Sequence, residues 1–257
     1  MKLAYREFGS GQPLIILHGL FGQSDNWNTL AKRFAEQDSH VFTIDQRNHG
    51  LSPHSDVWNY QAMADDLKQF IDDHQLQNPI ILGHSMGGKT VMFFEAQYPH
   101  IAKQLIIADI APKAYEPNHD TVLKALNAVD FTDINTRKQV EEILGQYITD
   151  FGTKQFLLKN IYWREDETKQ MAWRFNLDVI SKEYNNIGIS APLNLHSNTH
   201  TLFVRGEKSN YILDSDLADI SSKFGNYSLE TISNSGHWVH AEQPEAFFNC
   251  VQNFIHL

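Results

Sequence analysis

Ile80-Ile81-Leu82-Gly83-His84-Ser85-Met86-Gly87-Gly88 is the stretch on which the fold turns. Its aliphatic start is the kind of apolar run that a strand covered on both faces requires. A glycine-bounded turn follows, and Met92, Phe93 and Phe94 then continue a helical pattern to about Tyr98. Strand, sharp turn and helix in that order lift Ser85 to the end of a sheet, in a G-x-S-x-G frame. Gly83 and Gly87 fit a turn whose neighbours leave no room for a Cβ. The helix that starts behind the serine would aim free N–H groups and a positive dipole end at an anion forming there. A bare G-x-S-x-G recurs by chance, so its weight comes from the strand before it and the helix after it.

Outward from this turn, short apolar runs alternate with helical patterns, the mark of a mostly parallel sheet flanked by helices. The spacing predicts strands over Leu3–Phe8, Leu14–His18, His40–Asp45, Ile80–Gly83, Gln104–Asp109, Thr201–Arg205 and Ser228–Ser233. Helices are expected over Asp25–Glu36, Tyr60–Gln75, Met86–Tyr98 and Glu242–Ile255, with Pro244 near the start of the last. Between Pro112 and Ser197 the rhythm changes. Strand signals vanish, and helical patterns cover Thr121–Val129, Thr136–Ile148, Lys154–Tyr162 and Glu167–Phe175, with many aromatic residues. The organisation expected is a core over residues 1–112, an inserted helical cap over 113–197, and the rest of the core over 198–257.

Two loops supply what a serine nucleophile needs. His18-Gly19-Leu20-Phe21-Gly22 follows the strand that ends at His18, and the N–H of Leu20 is the expected oxyanion donor beside that of Met86. His18 itself reads as a loop hydrogen-bonding residue. Asn234-Ser235-Gly236-His237-Trp238 follows the last strand, where the histidine of such a set stands in chain order. An imidazole there can take the serine proton and return it. The chain has 13 histidines, so position, not residue type, selects His237. His240 is the runner-up and reads as a capping or surface residue.

Bulk properties narrow the classes. The 257 residues carry a formal net charge of −10, with 42% hydrophobic and 20% charged residues. That sign argues against nucleic acid or anionic lipid as the main partner. The single cysteine, Cys250, allows neither an intrachain disulfide nor a cysteine metal site, and reads as a small buried hydrophobe. The N-terminus lacks an apolar signal core and no stretch reaches the roughly 20 residues that span a bilayer, so a cytoplasmic protein is expected.

The set HGLFG (18–22), DQRNHGLS (45–52), GHSMGG (83–88), WRFNL (173–177) and GHWVHAEQP (236–244) resembles the YbfF-type esterases of the α/β-hydrolase superfamily, over nearly the whole chain. The resemblance implies an α/β-hydrolase fold with an inserted cap, no metal and no organic cofactor. It implies hydrolysis of a small-molecule acyl ester, of short to medium chain, or of an acyl-CoA thioester. Most of the superfamily carries the acid of a Ser-acid-His triad in a G-x-x-D turn, but this chain has Gly206-Glu207-Lys208-Ser209. Asp109 answers the departure. It closes the apolar strand beside the nucleophile strand, and an acidic side chain there is costly unless paired. The resemblance implies the same choice, through the D-I-A-P stretch at Asp109–Pro112. Glu207, Asp214 and Asp216 are the rivals, the last two as the start of a surface helix.

Trp238 and Ser209 flank the expected site and should touch substrate, with Ser209 donating to a polar group of the acyl chain. Asp45, Arg47 and Ser52 read as loop ties, and Arg174 as either a pocket cation or an exposed one. Besides an acyl-serine esterase, the same triad could serve a carbon–carbon bond hydrolase or a receptor that binds without turnover. An aspartate nucleophile, as epoxide and haloalkane hydrolases use, is disfavoured by Ser85.

Overall fold

The computed structural model describes residues 1–116 and 119–256; residues 117 and 118 of the expected cap, and residue 257, lie outside it. Five strands come first: β1 (Tyr5–Phe8), β2 (Gln12–Leu17), β3 (Ser39–Ile44), β4 (Ile80–His84) and β5 (Gln104–Ala108). A small hairpin, β6 (Ile161–Trp163) and β7 (Met171–Trp173), precedes β8 (His200–Gly206) and β9 (Tyr227–Ile232). Seven strands form one sheet in the order β1-β3-β2-β4-β5-β8-β9, parallel except for β1. Each strand lies within about two residues of its expected span.

Alternation along the strands explains the layering, because successive side chains point to opposite faces. Leu14 and Ile16 pack on one face with α1 (Asn28–Ala35); Ile15 and Leu17 pack on the other with α2 (Tyr60–Asp73) and α3 (Met86–Gln97). Ala64, Leu67, Phe70 and Ile71 repeat at helical spacing and are buried against the sheet, which is why α2 lies flat on it, while Tyr60 and Met63 pack with the segment between β5 and β8. Asn59 starts that helix by accepting the Ala62 N–H at 2.9 Å.

Between β5 and β8 the chain forms α4 (Asp120–Asn127), α5 (Arg137–Gly145), α6 (Phe151–Leu158), the β6–β7 hairpin and α7 (Leu177–Lys182). The helix expected over Glu167–Phe175 is absent, and the loss of strand signal expected here is corrected by the hairpin. Met171 and Trp173 sit opposite Trp163 and Ile161, and the Arg164 N–H bonds to the Gln170 carbonyl at 2.8 Å to close the turn. Aromatic and β-branched residues favour this pleated pairing over a helix. Met171, Trp173 and Phe175 alternate, and they join Leu126, Leu144 and Leu158 in a second core that also takes in Phe21, Tyr60, Met63 and Met86 of the main body.

Lys89 ties this segment down. Fully buried on α3, its ammonium donates to the carbonyls of Pro112, Lys113 and Ile189, at the two ends of the segment. Burial pushes its pKa down to about 7, while three carbonyls meet the three N–H donors of the charged form. After β8 come α8 (Leu217–Lys223), the one-turn α9 (Val239–Glu242) and α10 (Pro244–Ile255). Phe247, Val251 and Phe254 of α10 pack on the same face as α1. The helix expected over Glu242–Ile255 begins two residues later, with Pro244 in the first position of α10, and the separate turn α9 ends at Glu242. Among the described residues no helix is long and apolar enough to cross a membrane.

Candidate active site

Parallel register brings the carboxyl ends of β2, β4, β5 and β8 to one edge, where open α/β sheets bind their ligands. Ser85 follows β4 directly, with φ 52° and ψ −116°, a conformation that a non-glycine residue adopts only under constraint. The constraint is steric. A Cβ on Gly83 would stand 2.3 Å from the Gly87 carbonyl oxygen, and one on Gly87 would stand 2.5 Å from that of Leu17. The Ser85 N–H bonds to the Ala108 carbonyl at 2.9 Å, which fixes the turn against β5.

His237 arrives from the loop between β9 and α9. Its Nε2 lies 2.9 Å from Ser85 Oγ, and its Nδ1 lies 2.7 Å from Asp109 Oδ2. Asp109 stands one residue beyond β5, has a fully buried carboxylate, and takes φ 51°. Its Oδ1 accepts the Gly206 N–H at 3.0 Å, while Oδ2 accepts both His237 Nδ1–H and the Ser209 hydroxyl. A buried carboxylate with three donors is compensated where it sits. Nδ1–H directed at Asp109 leaves Nε2 as an acceptor for the Ser85 hydroxyl, the tautomer that can remove its proton.

The rival acids are engaged elsewhere. Glu207 accepts the Asn234 N–H at 2.8 Å, Asp214 pairs with Arg205 at 2.7 Å on the surface, and Asp216 pairs with Lys113 at 2.6 Å.

Ser209 departs from its expected place. Instead of meeting substrate, it donates to Asp109 Oδ2 and accepts the Tyr211 N–H, so it fills the position of the missing turn carboxylate as a hydrogen-bond partner of the acid. Trp238 lines the cavity over Ser85 and lies 5.5 Å, ring to ring, from Phe156 of α6. Leu20 and Met86 border Ser85 from the loop after β2 and from the first turn of α3. Met86 is the first helical residue, so its N–H has no partner within the helix. Gly19 lets the Leu20 loop approach: a Cβ there would meet His84 Nδ1 at 3.0 Å and Ser85 Cβ at 3.3 Å.

Sequence reasoning passed over two supports. His84 donates Nε2–H to the backbone carbonyl of His237 at 2.8 Å, tying the base's loop to the elbow. Tyr211 stacks on the His237 ring with centroids 3.7 Å apart. Both sit beside recognisable motifs, but only the folded chain shows what they touch. His240 is corrected from a capping or surface residue to a buried ring stacked on Trp27 at 4.1 Å. His18 holds its loop as expected, donating Nδ1–H to the Gly19 carbonyl and accepting the Gln46 N–H at Nε2. Arg47 bonds to Asp66, Val57 and Ala62, and Ser52 to Ala4 and Asp45, as loop ties. Arg174 lies 4.7 Å over the Tyr162 ring, away from the cavities that contain Ser85.

Burial lowers the pKa of His18 to about 4 and those of His49 and His240 to about 3, and drives that of His84 down as well. Each is therefore neutral when folded and readily protonated when unfolded, with an unfolded value near 6.5. Below that value the unfolded chain binds more protons, so stability is full above about pH 6.5 and falls as pH drops toward 4. Urea denaturation at pH 7 and pH 5 should show a loss of several kcal/mol. His240→Phe, which keeps a ring on Trp27, should lose about 2 kcal/mol less over that interval than the parent. An equal loss in both would contradict the assignment.

Comparison with known proteins identifies the family and the fold. A family profile described as alpha/beta hydrolase fold matches residues 12–154. The chain is 36% identical to Esterase YbfF of Escherichia coli over 247 residues, 96% of this chain and 94% of that protein. It is 33% identical to an sn-1-specific diacylglycerol lipase of Mus musculus, covering 94% of this chain and 80% of that one. A solved structure described as a marine microorganism esterase superposes with a TM-score of 0.94 at 41% identity, covering 99% of both chains.

Proposed function

We propose, from the premise that this chain belongs to the α/β-hydrolase family and is a carboxylic ester hydrolase, that Ser85, His237 and Asp109 are its catalytic triad, acting on short- to medium-chain acyl esters and thioesters. The observation that carries the assignment is the continuous line of hydrogen bonds from Ser85 Oγ through His237 to Asp109. Ser85 Oγ bonds to the carbonyl carbon as its proton passes to His237 Nε2. The carbonyl oxygen becomes an oxyanion held by the N–H groups of Leu20 and Met86. Its collapse breaks the ester bond, and the leaving oxygen departs with the proton from His237. A water molecule, deprotonated by the same imidazole, then cleaves the acyl-serine. A thiolate leaving group follows the same path and needs protonation less.

Residues 113–197 act as the cap over this site, set on a core made of residues 1–112 and 198–257. The support is that Val122, Phe156 and Leu157 of this segment wall the cavity above Ser85. Purified protein should hydrolyse p-nitrophenyl acetate and butyrate, and the matching acyl-CoA thioesters, over many turnovers, and should leave a dienone carbon–carbon substrate intact. Dienone cleavage without ester turnover would transfer the triad to carbon–carbon chemistry. A single burst of p-nitrophenol followed by silence would favour a receptor.

A further inference from the structure

Two cavities meet at Ser85, and they differ in size and in what lines them. The larger holds about 350 Å³ and has both Ser85 and His237 in its wall, with Phe21, Trp27, Phe156, Leu157 and Trp238 forming its apolar sides. The smaller holds about 50 Å³ and is walled by Tyr60, Tyr115, Tyr184, Tyr211 and Ile187; Ser85 and Met86 line it, and His237 does not. Leu20 and His119 line both and stand where the two join.

We infer that the small tyrosine-walled chamber holds the acyl group and the large apolar chamber holds the leaving alcohol, so that the enzyme is selective for short acyl chains on bulky apolar alcohols. This rests on the ester-hydrolysis reading. The argument is about proton delivery. In the tetrahedral intermediate the leaving oxygen must lie within hydrogen-bond reach of His237 Nε2, which carries the proton it needs. Of the two cavities, the large one brings that ring to its wall, so the alcohol lies there. With the oxyanion turned toward the N–H groups of Leu20 and Met86, the remaining substituent on carbon, the acyl chain, points into the small chamber.

The small chamber is also stiff. Tyr60 donates its hydroxyl to the Ile187 carbonyl at 2.9 Å, Tyr115 donates to the Tyr211 carbonyl and accepts the Ala111 N–H, and the Tyr184 oxygen accepts the His119 N–H at 3.1 Å. Rings fixed in this way cannot swing aside to admit a longer chain. A methylene that a fixed pocket rejects or accepts changes kcat/KM by roughly 10–200-fold.

The test is kcat/KM for two ester series on the intact protein: p-nitrophenyl acetate, butyrate and octanoate, and methyl, benzyl and 2-naphthylmethyl acetate. Octanoate should fall at least about tenfold below acetate, while the acetates should improve about tenfold or more from methyl to naphthylmethyl. Ile187→Ala, which keeps the carbonyl that Tyr60 uses, should raise octanoate relative to acetate and leave the order of the alcohols alone. Val122→Trp, in the large chamber, should penalise the naphthylmethyl ester selectively. The unmodified enzyme's two series decide the matter if a variant fails to fold. Turnover of both series with octanoate favoured and alcohol size unimportant would overturn the chamber assignment while leaving ester hydrolysis intact. Turnover of neither series would sink the hydrolysis reading and this inference with it.

Discussion

Ser85→Ala is expected to lower kcat for p-nitrophenyl butyrate by about 10⁵–10⁶-fold, the scale seen when a triad serine is removed from other enzymes. The chain's thiol cannot take over. The chain's single cysteine, Cys250, lies on α10 with its thiol pushed up to about 12 by burial, so it offers no thiolate at neutral pH. The Ser85 backbone, at φ 52°, presents its hydroxyl 2.9 Å from the only imidazole that is also bonded to a buried carboxylate among the described residues. The methyl of alanine preserves the turn, so the variant should unfold at the temperature of the parent. A loss below about tenfold with folding intact would mean that another residue attacks.

Asp109→Asn is the second large effect, about 10⁴-fold in kcat. The reason is specific to the bonds made here. Oδ1 accepts the Gly206 N–H and Oδ2 accepts two donors, from His237 and Ser209. An amide that keeps its oxygen toward Gly206 turns its NH₂ toward His237. The imidazole then meets a donor at Nδ1 and shifts its proton to Nε2, where it can no longer accept from Ser85 Oγ. Geometry is nearly unchanged and the tautomer is wrong. Asp214→Ala should change kcat by less than a factor of about two, because Asp214 is exposed and pairs only with Arg205 in a surface bridge. The opposite pattern, with Asp109→Asn harmless and Asp214→Ala severe, would return the acid to the loop after β8.

How much of this was legible in the sequence follows from the range of the interactions involved. The inner strands β2, β3, β4, β5 and β8 announce themselves locally, because each is a largely apolar run buried in the sheet, while the edge strands β1 and β9 are far more exposed. Ser85 and His237 were also local, each marked by a turn between a strand and a helix. The β6–β7 hairpin was missed because three-residue strands give too short a signal, although the alternation Met171, Trp173, Phe175 carries it. Ser209 was read as touching substrate because its real partner, Asp109, lies 100 residues away in the chain. His240 read as a surface residue because nothing near it in sequence shows Trp27, on which it stacks. Lys89 on the elbow helix gives no sequence sign that it will spend its three N–H donors on carbonyls at Pro112, Lys113 and Ile189. Contacts between distant parts of the chain decide all three, and periodicity does not report them.

Peptide mapping by mass spectrometry after treatment with a fluorophosphonate reports directly on whether one hydroxyl, activated through one imidazole, is the nucleophile. The account predicts a single phosphonyl adduct on Ser85 in the parent, and labelling slowed by several orders of magnitude in His237→Ala, whose serine has lost its base. An adduct on a different residue, or Ser85 labelled as fast without the imidazole as with it, would contradict it.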